Sequence, residues 1–484
     1  MAIDLPRNVS LDVSPGYLRN NAPRLISYAV YAAFNIALFA WAAHRYADRG
    51  PLVQTARGCG AIMNFNAAFC LLPMMRLFIS ALRRTRLARY LALEDSVRFH
   101  WLSGHVMFAA AVVHTLAYLC LYGWVSDKSL IANLMGSVAS ITGWILALIF
   151  LGFWLVALDA VRRRLPFELF YVTHFAGVAI VILLLIHSPN YWKWFVIGGT
   201  GYLLDRALRF YRMRQPSTIV STRILPSAVT ELVIARPPEF SYRAGDFVFV
   251  LIPALSRFEW HPFTISSPPE RTDAFTLHVR SLGDYTDALH RVCKHWPEIQ
   301  RGVIDATPDI PARVSKRLTA CLGQVPVYID GPHGAPANDI FHARVAVLIA
   351  AGIGVTPFAS ILQSLMHHHK AGKLDGLEVD KVYFLWINRD QRAFEWFTEL
   401  LADLSRQDRG GFFDIRLFLT DPPPGDLPAL SQRGRPDWDA ELARITAAHQ
   451  AKDIGVFFCG PSGMAEALHT RCRRLGLSFK EELF

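Results

Sequence analysis

Histidines recur inside the hydrophobic runs of this chain, and four of them form two matched pairs. His100 and His114 lie 14 residues apart; His174 and His187 lie 13 apart. At 1.5 Å rise per residue, each pair spans about 20 Å of helix. Two such helices side by side present one pair of imidazoles near each end. Ionisable groups within an apolar span are costly and default to functional candidates. Imidazole nitrogen binds haem iron, and two axial histidines fill its coordination sphere, leaving electron transfer as the accessible chemistry. Two haems, each taking one histidine from each helix, suit this spacing; histidines packed between helices are the plainer alternative. Fourteen residues return to within about 40° of the starting face, whereas thirteen do not. The helix of His174 and His187 must therefore bend, or its two haems must approach from different sides. His105 has no counterpart and reads as a packing or surface histidine.

Arg57 is a second misfit within an apolar run. Either it snorkels to an interface, or it faces inward, where it would offset haem propionate charge and attract an anionic product or a polar acceptor.

Further along, the chemistry-bearing residues change character. His261-Pro-Phe-Thr264 opens a strand, and His278-Val-Arg280 leads into Gly283-Asp-Tyr-Thr286 and a helix. A hydroxyl, an aromatic ring and a rigid proline suit a planar ring with polar edges. Arg280 and a glycine turn at a helix N-terminus suit a pyrophosphate. Next, the apolar strand 345–351 runs into Gly352-Ile-Gly354-Val-Thr356-Pro357. Glycines let backbone approach phosphate, Thr356 caps the helix and Pro357 suits its first turn. This is not GxGxxG, so the usual dinucleotide fingerprint is absent. Arg389 follows a strand end and Arg435 sits in a loop; either can fork onto a 2′-phosphate or be an ordinary surface arginine.

The elements that position these groups follow from hydropathy. Of 484 residues, 52% are hydrophobic, and the excess is confined to the first half. Runs near 25–44, 59–80, 100–123, 134–160, 168–187 and 193–211 each approach the roughly 20 apolar residues a spanning helix needs. Arg83, Arg84, Arg86 and Arg89 follow the second run, Arg162 to Arg164 the fourth, and Arg206, Arg209, Arg212 and Arg214 the sixth. By the positive-inside rule, both termini and the second half face the cytoplasm. The first twenty residues do not have the form of a cleavable signal peptide. Much of the net charge of +10 sits in these loops, so it reads as topology and not as a nucleic-acid surface. The seven cysteines are scattered, which indicates neither a disulfide framework nor a zinc site.

Beyond 217, strands at 219–225, 229–235, 246–251 and 275–280 with turns between them predict a small antiparallel barrel. Strands at 345–351, 382–388, 415–420 and 454–458 alternate with helices, one of them expected over 392–404. That alternation predicts a parallel sheet with its ligand at the carboxyl ends. The stretch 297–324 between the two patterns reads as a surface loop.

Several segments carry a specific resemblance. Arg57-Gly-Cys-Gly-Ala-Ile-Met-Asn-Phe-Asn66 with Leu71-Leu-Pro73 and Arg76 resembles the second helix of the NADPH oxidase family, part of the wider ferric-reductase transmembrane group. His114-Thr-Leu-Ala-Tyr118 and Tyr171-Val-Thr-His174 resemble its haem helices. Asp330-Gly331-Pro332-His333-Gly334, Ala351 to Phe358, Trp386-Ile-Asn-Arg389-Asp-Gln391 and Cys459-Gly460-Pro461 resemble its later signatures. They look nearest to the calcium-regulated type, although no EF-hand loop is present. The resemblance spans residues 20–484 and implies an inner haem on His100 and His174 and an outer haem on His114 and His187. It also implies Arg57 near the oxygen-reducing site, and Trp260, His261, Pro262, Phe263 and Thr264 against flavin. Arg280 would hold the flavin phosphates, and His278, Gly283, Thr286, Gly331, Pro332 and Gly334 would also contact a bound cofactor. Arg389 and Arg435 would select NADPH, Cys459 would lie near the nicotinamide, and Phe484 would stack on flavin. Tyr118 stands where several animal members carry a histidine. The short 188–192 loop fits release of superoxide.

The expected architecture is a cytosolic segment 1–24, a six-helix haem bundle 25–214, an FAD-binding barrel 215–338 and an NADPH-binding α/β domain 339–484. The expected protein sits in a plasma or bacterial inner membrane. Its expected activity is transfer of electrons from cytosolic NADPH through FAD and two haems b to O2 on the opposite face. A ferric-chelate reductase using the same electron path is the alternative, and a nucleotide-gated transporter without haem is a more distant one.

Overall fold

The computed structural model describes residues 15–302, 309–321, 325–370, 378–407, 411–422, 427 and 430–482. The chain divides into two compact units, Ala22–Leu208 and a second comprising Met1–Asn21 with Arg209–Phe484.

The first unit is helical. Its elements are α1 (Pro15–Arg45), α2 (Pro51–Phe69), α3 (Arg76–Arg83), α4 (Ser96–Cys120), the short α5 (Leu130–Met135), α6 (Val138–Ala157), α7 (Asp159–Arg162), α8 (Phe167–His174), α9 (Gly177–His187) and α10 (Tyr191–Arg212). By length and composition, four helices can cross a membrane: Asn21–Arg45, Leu93–Val125, Val138–Ala157 and Leu169–His187. Counting the bent pair Pro51–Met74 and Arg76–Arg83 as one span gives five. The sixth expected span, α10, is long enough at 22 residues. Lys193, Asp205, Arg206, Arg209 and Arg212 keep it below the apolar threshold. Apolar side chains such as Ile36, Leu148, Val172 and Ile197 point outward, the surface a lipid environment calls for.

Two interruptions have physical causes. Between α2 and α3 the axis turns by 69° at the segment holding Pro73, which has no amide hydrogen to continue the helix. The amides of Leu77 and Phe78, freed at the new N-terminus, donate to Asp205 Oδ1 at 2.9 and 3.3 Å, and a carboxylate suits that end of a helix. The fifth span breaks at Phe175–Ala176, directly after His174. A break there relieves the register mismatch of a thirteen-residue spacing. Between α1 and α2, a fully satisfied polar cluster is buried: Tyr31 Oη donates to Asn66 Oδ1 at 2.5 Å, and Asn66 Nδ2 to Asn35 Oδ1 at 2.7 Å.

The second unit contains two six-stranded sheets. Strands β1 (Ser217–Leu225), β2 (Val229–Ala235), β3 (Phe247–Leu251), β4 (His261–Thr264), β5 (Ala274–Arg280) and β6 (Pro326–His333) form the first. Their order is β4-β3-β6-β1-β2-β5 and every pairing is antiparallel. An Ile265–Leu277 bridge brings its two edges together, so the sheet closes as a barrel. Helix α11 (Asp284–Lys294) follows β5. The stretch expected to be a surface loop contributes α12 (Trp296–Gln300) and α13 (Ala312–Ala320). Ile299, Val314 and Leu318 from these helices pack into the barrel core, because their apolar spacing gives each helix a face to bury.

Strands β7 (Val345–Ala351), β8 (Lys381–Asn388), β9 (Phe413–Leu419), β10 (Ser431–Arg433), β11 (Ile454–Cys459) and β12 (Ser478–Glu482) form the second sheet, all parallel, in the order β10-β9-β8-β7-β11-β12. Helices α14 (Thr356–Lys370), α15 (Thr398–Gln407), α16 (Trp438–Ala448) and α17 (Ser462–Arg474) connect them. The helix expected over 392–404 is a 3-10 turn at Gln391–Phe397 followed by α15. Ala393, Phe394, Trp396 and Phe397 all turn into the core there.

Candidate functional site

In the helical unit the four histidines meet in the expected pairs. His100 on α4 faces His174 at the end of α8, with ring centres 5.9 Å apart. His114 on α4 faces His187 at the end of α9, with ring centres 6.4 Å apart. With metal–nitrogen bonds of about 2 Å, two imidazoles bound to one metal from opposite sides hold their centres about 6 Å apart. The hydrogen bonds are equally telling. His100 Nδ1 lies 2.8 Å from Cys70 O, His114 Nδ1 2.8 Å from Ala56 O, and His187 Nδ1 2.9 Å from Ala139 O. A carbonyl only accepts, so in all three rings Nδ1 carries the hydrogen and Nε2 keeps its lone pair. That is the tautomer and the carbonyl anchor of a metal-ligating histidine. His174 is held instead between Phe153 and Phe170, with ring centres at 4.8 and 5.2 Å. The residues present therefore fit a bis-imidazole haem at each level.

One helix, α2, supplies the carbonyl for both histidines of α4, from Ala56 near its start and Cys70 just past its end. Backbone acceptors leave no mark in a sequence, and no signal there points to these two. Arg57 is exposed and its guanidinium lies over the Tyr46 ring at 5.1 Å. It is within electrostatic reach of His114, His187 and Tyr118, which puts it at the level of the second pair. The Tyr118 ring stands edge-on to His114 at 5.0 Å. His105 rests on Trp101 at 3.9 Å and bonds Trp101 O, a packing role.

In the second unit, β4, at the closure of the barrel, carries His261, Pro262, Phe263 and Thr264. His261 stacks on Tyr285 at 3.8 Å, while Thr264 is buried and Pro262 exposed. Trp260 beside them is half-buried. His278 is buried against Phe397 at 4.5 Å. Ser266 Oγ donates to Thr276 O at 2.9 Å, so it can only accept from His278 Nδ1 at 2.8 Å. The remaining Nε2 is a buried acceptor with no partner among the described residues. Burial, with Arg223 adding to it, lowers the His278 pKa to about 3. A buried polar atom left open in this way fits a hydroxyl donor from a bound cofactor. Thr286 differs: its hydroxyl is spent on its own turn, accepting from Leu282 N and Gly283 N at 2.9 and 3.1 Å.

Gly331 packs under β3, where a Cβ would meet Val248 Cγ1 at 3.0 Å. Pro332 and His333 follow it, and His333 lies between Phe247 and Phe249, just ahead of Gly334.

The parallel sheet reverses its winding between β7 and β11, the place where such sheets hold ligands at their carboxyl ends. Gly352-Ile-Gly354 leaves β7 there and Cys459-Gly460-Pro461 leaves β11. The two loops touch. A Cβ on Gly354 would overlap the Cys459 carbonyl, and one on Gly460 would stand 2.8 Å from Ala351 Cβ. Gly352, at φ +58°, lies beside Arg280 Nη1, so the barrel's phosphate candidate meets the nucleotide loop. Thr356 and Pro357 begin α14, and Cys459 is buried, which pushes its thiol up. Arg389 and Arg435 are both exposed just past β8 and β10, on the same edge of the sheet. Asn388, the last residue of β8, keeps a buried Nδ2 without a partner among the described residues, a candidate ligand contact that its motif did not single out. Phe484 lies outside the described residues.

Three family profiles match the chain. They are described as a ferric reductase like transmembrane component over 66–185, an FAD-binding domain over 215–337, and a ferric reductase NAD binding domain over 343–425 and 429–473. NADPH oxidase 5 of Homo sapiens is 34% identical, covering 97% of this chain and 70% of that protein. A superoxide-generating NADPH oxidase heavy chain of Dictyostelium discoideum is 30% identical over 94% of each. NADPH oxidase 1 of Mus musculus is 29% identical, over 95% of this chain and 92% of that protein.

Proposed function

Because this chain belongs to the NADPH oxidase family, we propose that it passes electrons from NADPH through FAD and two bis-histidine haems b to O2, yielding superoxide. One observation carries the haem relay: two facing imidazole pairs in one bundle, three rings of which hold Nε2 open through a backbone carbonyl. The proposed topology has six spans, with α10 as the sixth despite its charges. The flavin and nucleotide half is proposed to lie on the cytoplasmic side of a plasma or bacterial inner membrane, and O2 to be reduced on the other.

When bound, the nicotinamide, flavin and haems supply the redox chemistry; the chain supplies position, polarity and access. His100 with His174, and His114 with His187, hold two metals at two depths. Arg57 offers a positive charge at the level of the second pair, where an anionic product would leave. The β4 tetrapeptide, Trp260 and the open Nε2 of His278 line the flavin, with Gly283, Thr286 and the Gly331–Gly334 segment at the end of β6 framing it. Arg280 meets its phosphates. The Gly352–Gly354 and Cys459–Pro461 loops admit the dinucleotide backbone, Thr356 and Pro357 start the helix that faces it, and Arg389 and Arg435 take the 2′-phosphate. Phe484 is proposed to cover the flavin.

A steady-state assay of the purified protein with NADPH, FAD and O2 tests this reading. Superoxide should form in the wild type and fall to background in His114→Leu, while NADPH-dependent dye reduction at the flavin persists. Full superoxide output from His114→Leu would refute the two-haem route. Ferric-chelate reduction that continues without oxygen and ignores a superoxide scavenger would replace O2 as the acceptor.

A further inference from the structure

His187 reaches its carbonyl acceptor past residue 143, a glycine whose added Cβ would crowd the imidazole. Its Nδ1–H is shared between Ala139 O at 2.9 Å and Thr142 Oγ1 at 3.2 Å. Thr142 accepts there, since its own hydrogen goes to Val138 O at 2.6 Å. Gly143 follows Ala139 by four residues, the position stacked directly over that carbonyl on one helix face. A Cβ at 143 would stand 3.0 Å from His187 Cε1 and 3.6 Å from Nδ1. The same arrangement recurs on α2: His114 donates to Ala56 O, and four residues on comes Gly60. At Gly60, however, an added Cβ would meet His114 Cε1 at 3.8 Å, an ordinary contact.

We propose that Gly143 is a positioning residue for iron ligation by His187. Its missing Cβ opens a notch in α6 through which the imidazole Nδ1–H reaches Ala139 O. This rests on the reading of His114 and His187 as the axial ligands of one haem. A carbonyl on the distal nitrogen fixes the tautomer and ring orientation and raises the ligand's basicity. Hydrogen bonding to the axial ligand is one of the protein's levers on haem potential. Glycine inside a helix is less favourable than alanine, so apart from His187 an alanine at 143 would strengthen α6. Gly60 supplies the internal control, because the same substitution there has room.

The test uses the purified full-length protein with its haems. Haem stoichiometry, low-spin EPR signals and a potentiometric titration resolving the two haems are read for wild type, Gly143→Ala, Gly60→Ala and Thr142→Val. Gly143→Ala should shift the potential and g-values of one haem alone and loosen that haem by about 10-fold or more. Gly60→Ala should leave both haems as in wild type. Thr142→Val, which removes one acceptor without adding bulk at 143, should shift the same haem less. Unchanged EPR signals and potentials in Gly143→Ala overturn the positioning role while leaving haem ligation intact. Should Gly143→Ala not accumulate, an unshifted Thr142→Val overturns it instead. A His187→Leu protein that keeps both bis-imidazole signals refutes the ligation reading itself.

Discussion

Arg209 grips Asp330 with two nitrogens. Its Nε stands 3.1 Å from both carboxylate oxygens and its Nη2 2.5 Å from Oδ2, with the two side chains 7% and 2% exposed. Burial alone would push the Asp330 carboxyl up, but the neighbouring His333 and the hydrogen-bonded Arg209 guanidinium outweigh it and hold the carboxyl well below the usual range. Asp330 lies near the end of β6, next to the Gly331–Gly334 segment that is proposed to frame the flavin, so the pair fixes the strand leading into it.

Asp330→Asn leaves the Arg209 charge buried without its counter-ion. Breaking a buried pair in this way costs about 3–5 kcal/mol. The thermal midpoint of the purified protein, followed by flavin fluorescence, should fall markedly and FAD should be released earlier. A change within the roughly 0–1 kcal/mol range of exposed pairs would show that Arg209 does not anchor this strand.

His278 predicts a pH dependence. Its folded pKa is lowered to about 3 by burial, against about 6.5 in an unfolded chain. Between those values the unfolded state binds a proton that the folded state refuses, so stability declines as pH falls below about 6.5. The slope should be at most about 1.4 kcal/mol per pH unit. Unfolding followed from pH 8 to pH 4 should show this slope in the wild type and lose it in His278→Gln. Parallel profiles for the two proteins would contradict a buried neutral His278.

Gly354→Ala places a methyl group against the Cys459 carbonyl, where backbone and not a flexible side-chain tip must move. Overpacking of this kind costs about 1–3 kcal/mol. Because it spreads the two loops at the carboxyl edge, the KM for NADPH should rise with little change in haem content. Unaltered kinetics would mean the nucleotide enters elsewhere.

Removing the charge of Arg389 or Arg435 should weaken NADPH selectively. Hydrogen bonds to charged groups contribute about 1.5–3 kcal/mol, so kcat/KM for NADPH should drop about 10- to 100-fold in Arg389→Ala or Arg435→Ala while NADH is unaffected. Equal losses with both nucleotides would assign these arginines a general electrostatic role.

Much of the chain's organisation is local and therefore legible without coordinates. Apolar runs long enough to span a bilayer, the two-residue period of the barrel strands and the unbroken apolar strand entering Gly352 each report their own conformation. The histidine spacing sets two levels of imidazoles and calls for either a bend in the fifth span or haems approaching from different sides; a break falls directly after His174. The stretch 297–324 misleads as a sequence because two short helices hide their apolar faces in a polar composition, and only the barrel core makes those faces useful.

What remained was decided by tertiary structure, for one physical reason: it depends on backbone groups and partners distant along the chain. Nothing in the type of residue 56 or 70 announces that its carbonyl will orient His114 or His100. Likewise, Arg209 and Asp330 are 121 residues apart, and whether an arginine near a helix end meets lipid headgroups or a buried carboxylate is settled by packing. The sequence by itself determined which chemical groups are present and at what local spacing. The fold decided which nitrogen of His100, His114 and His187 stays open, where an added Cβ would crowd its neighbour and which polar atoms are buried.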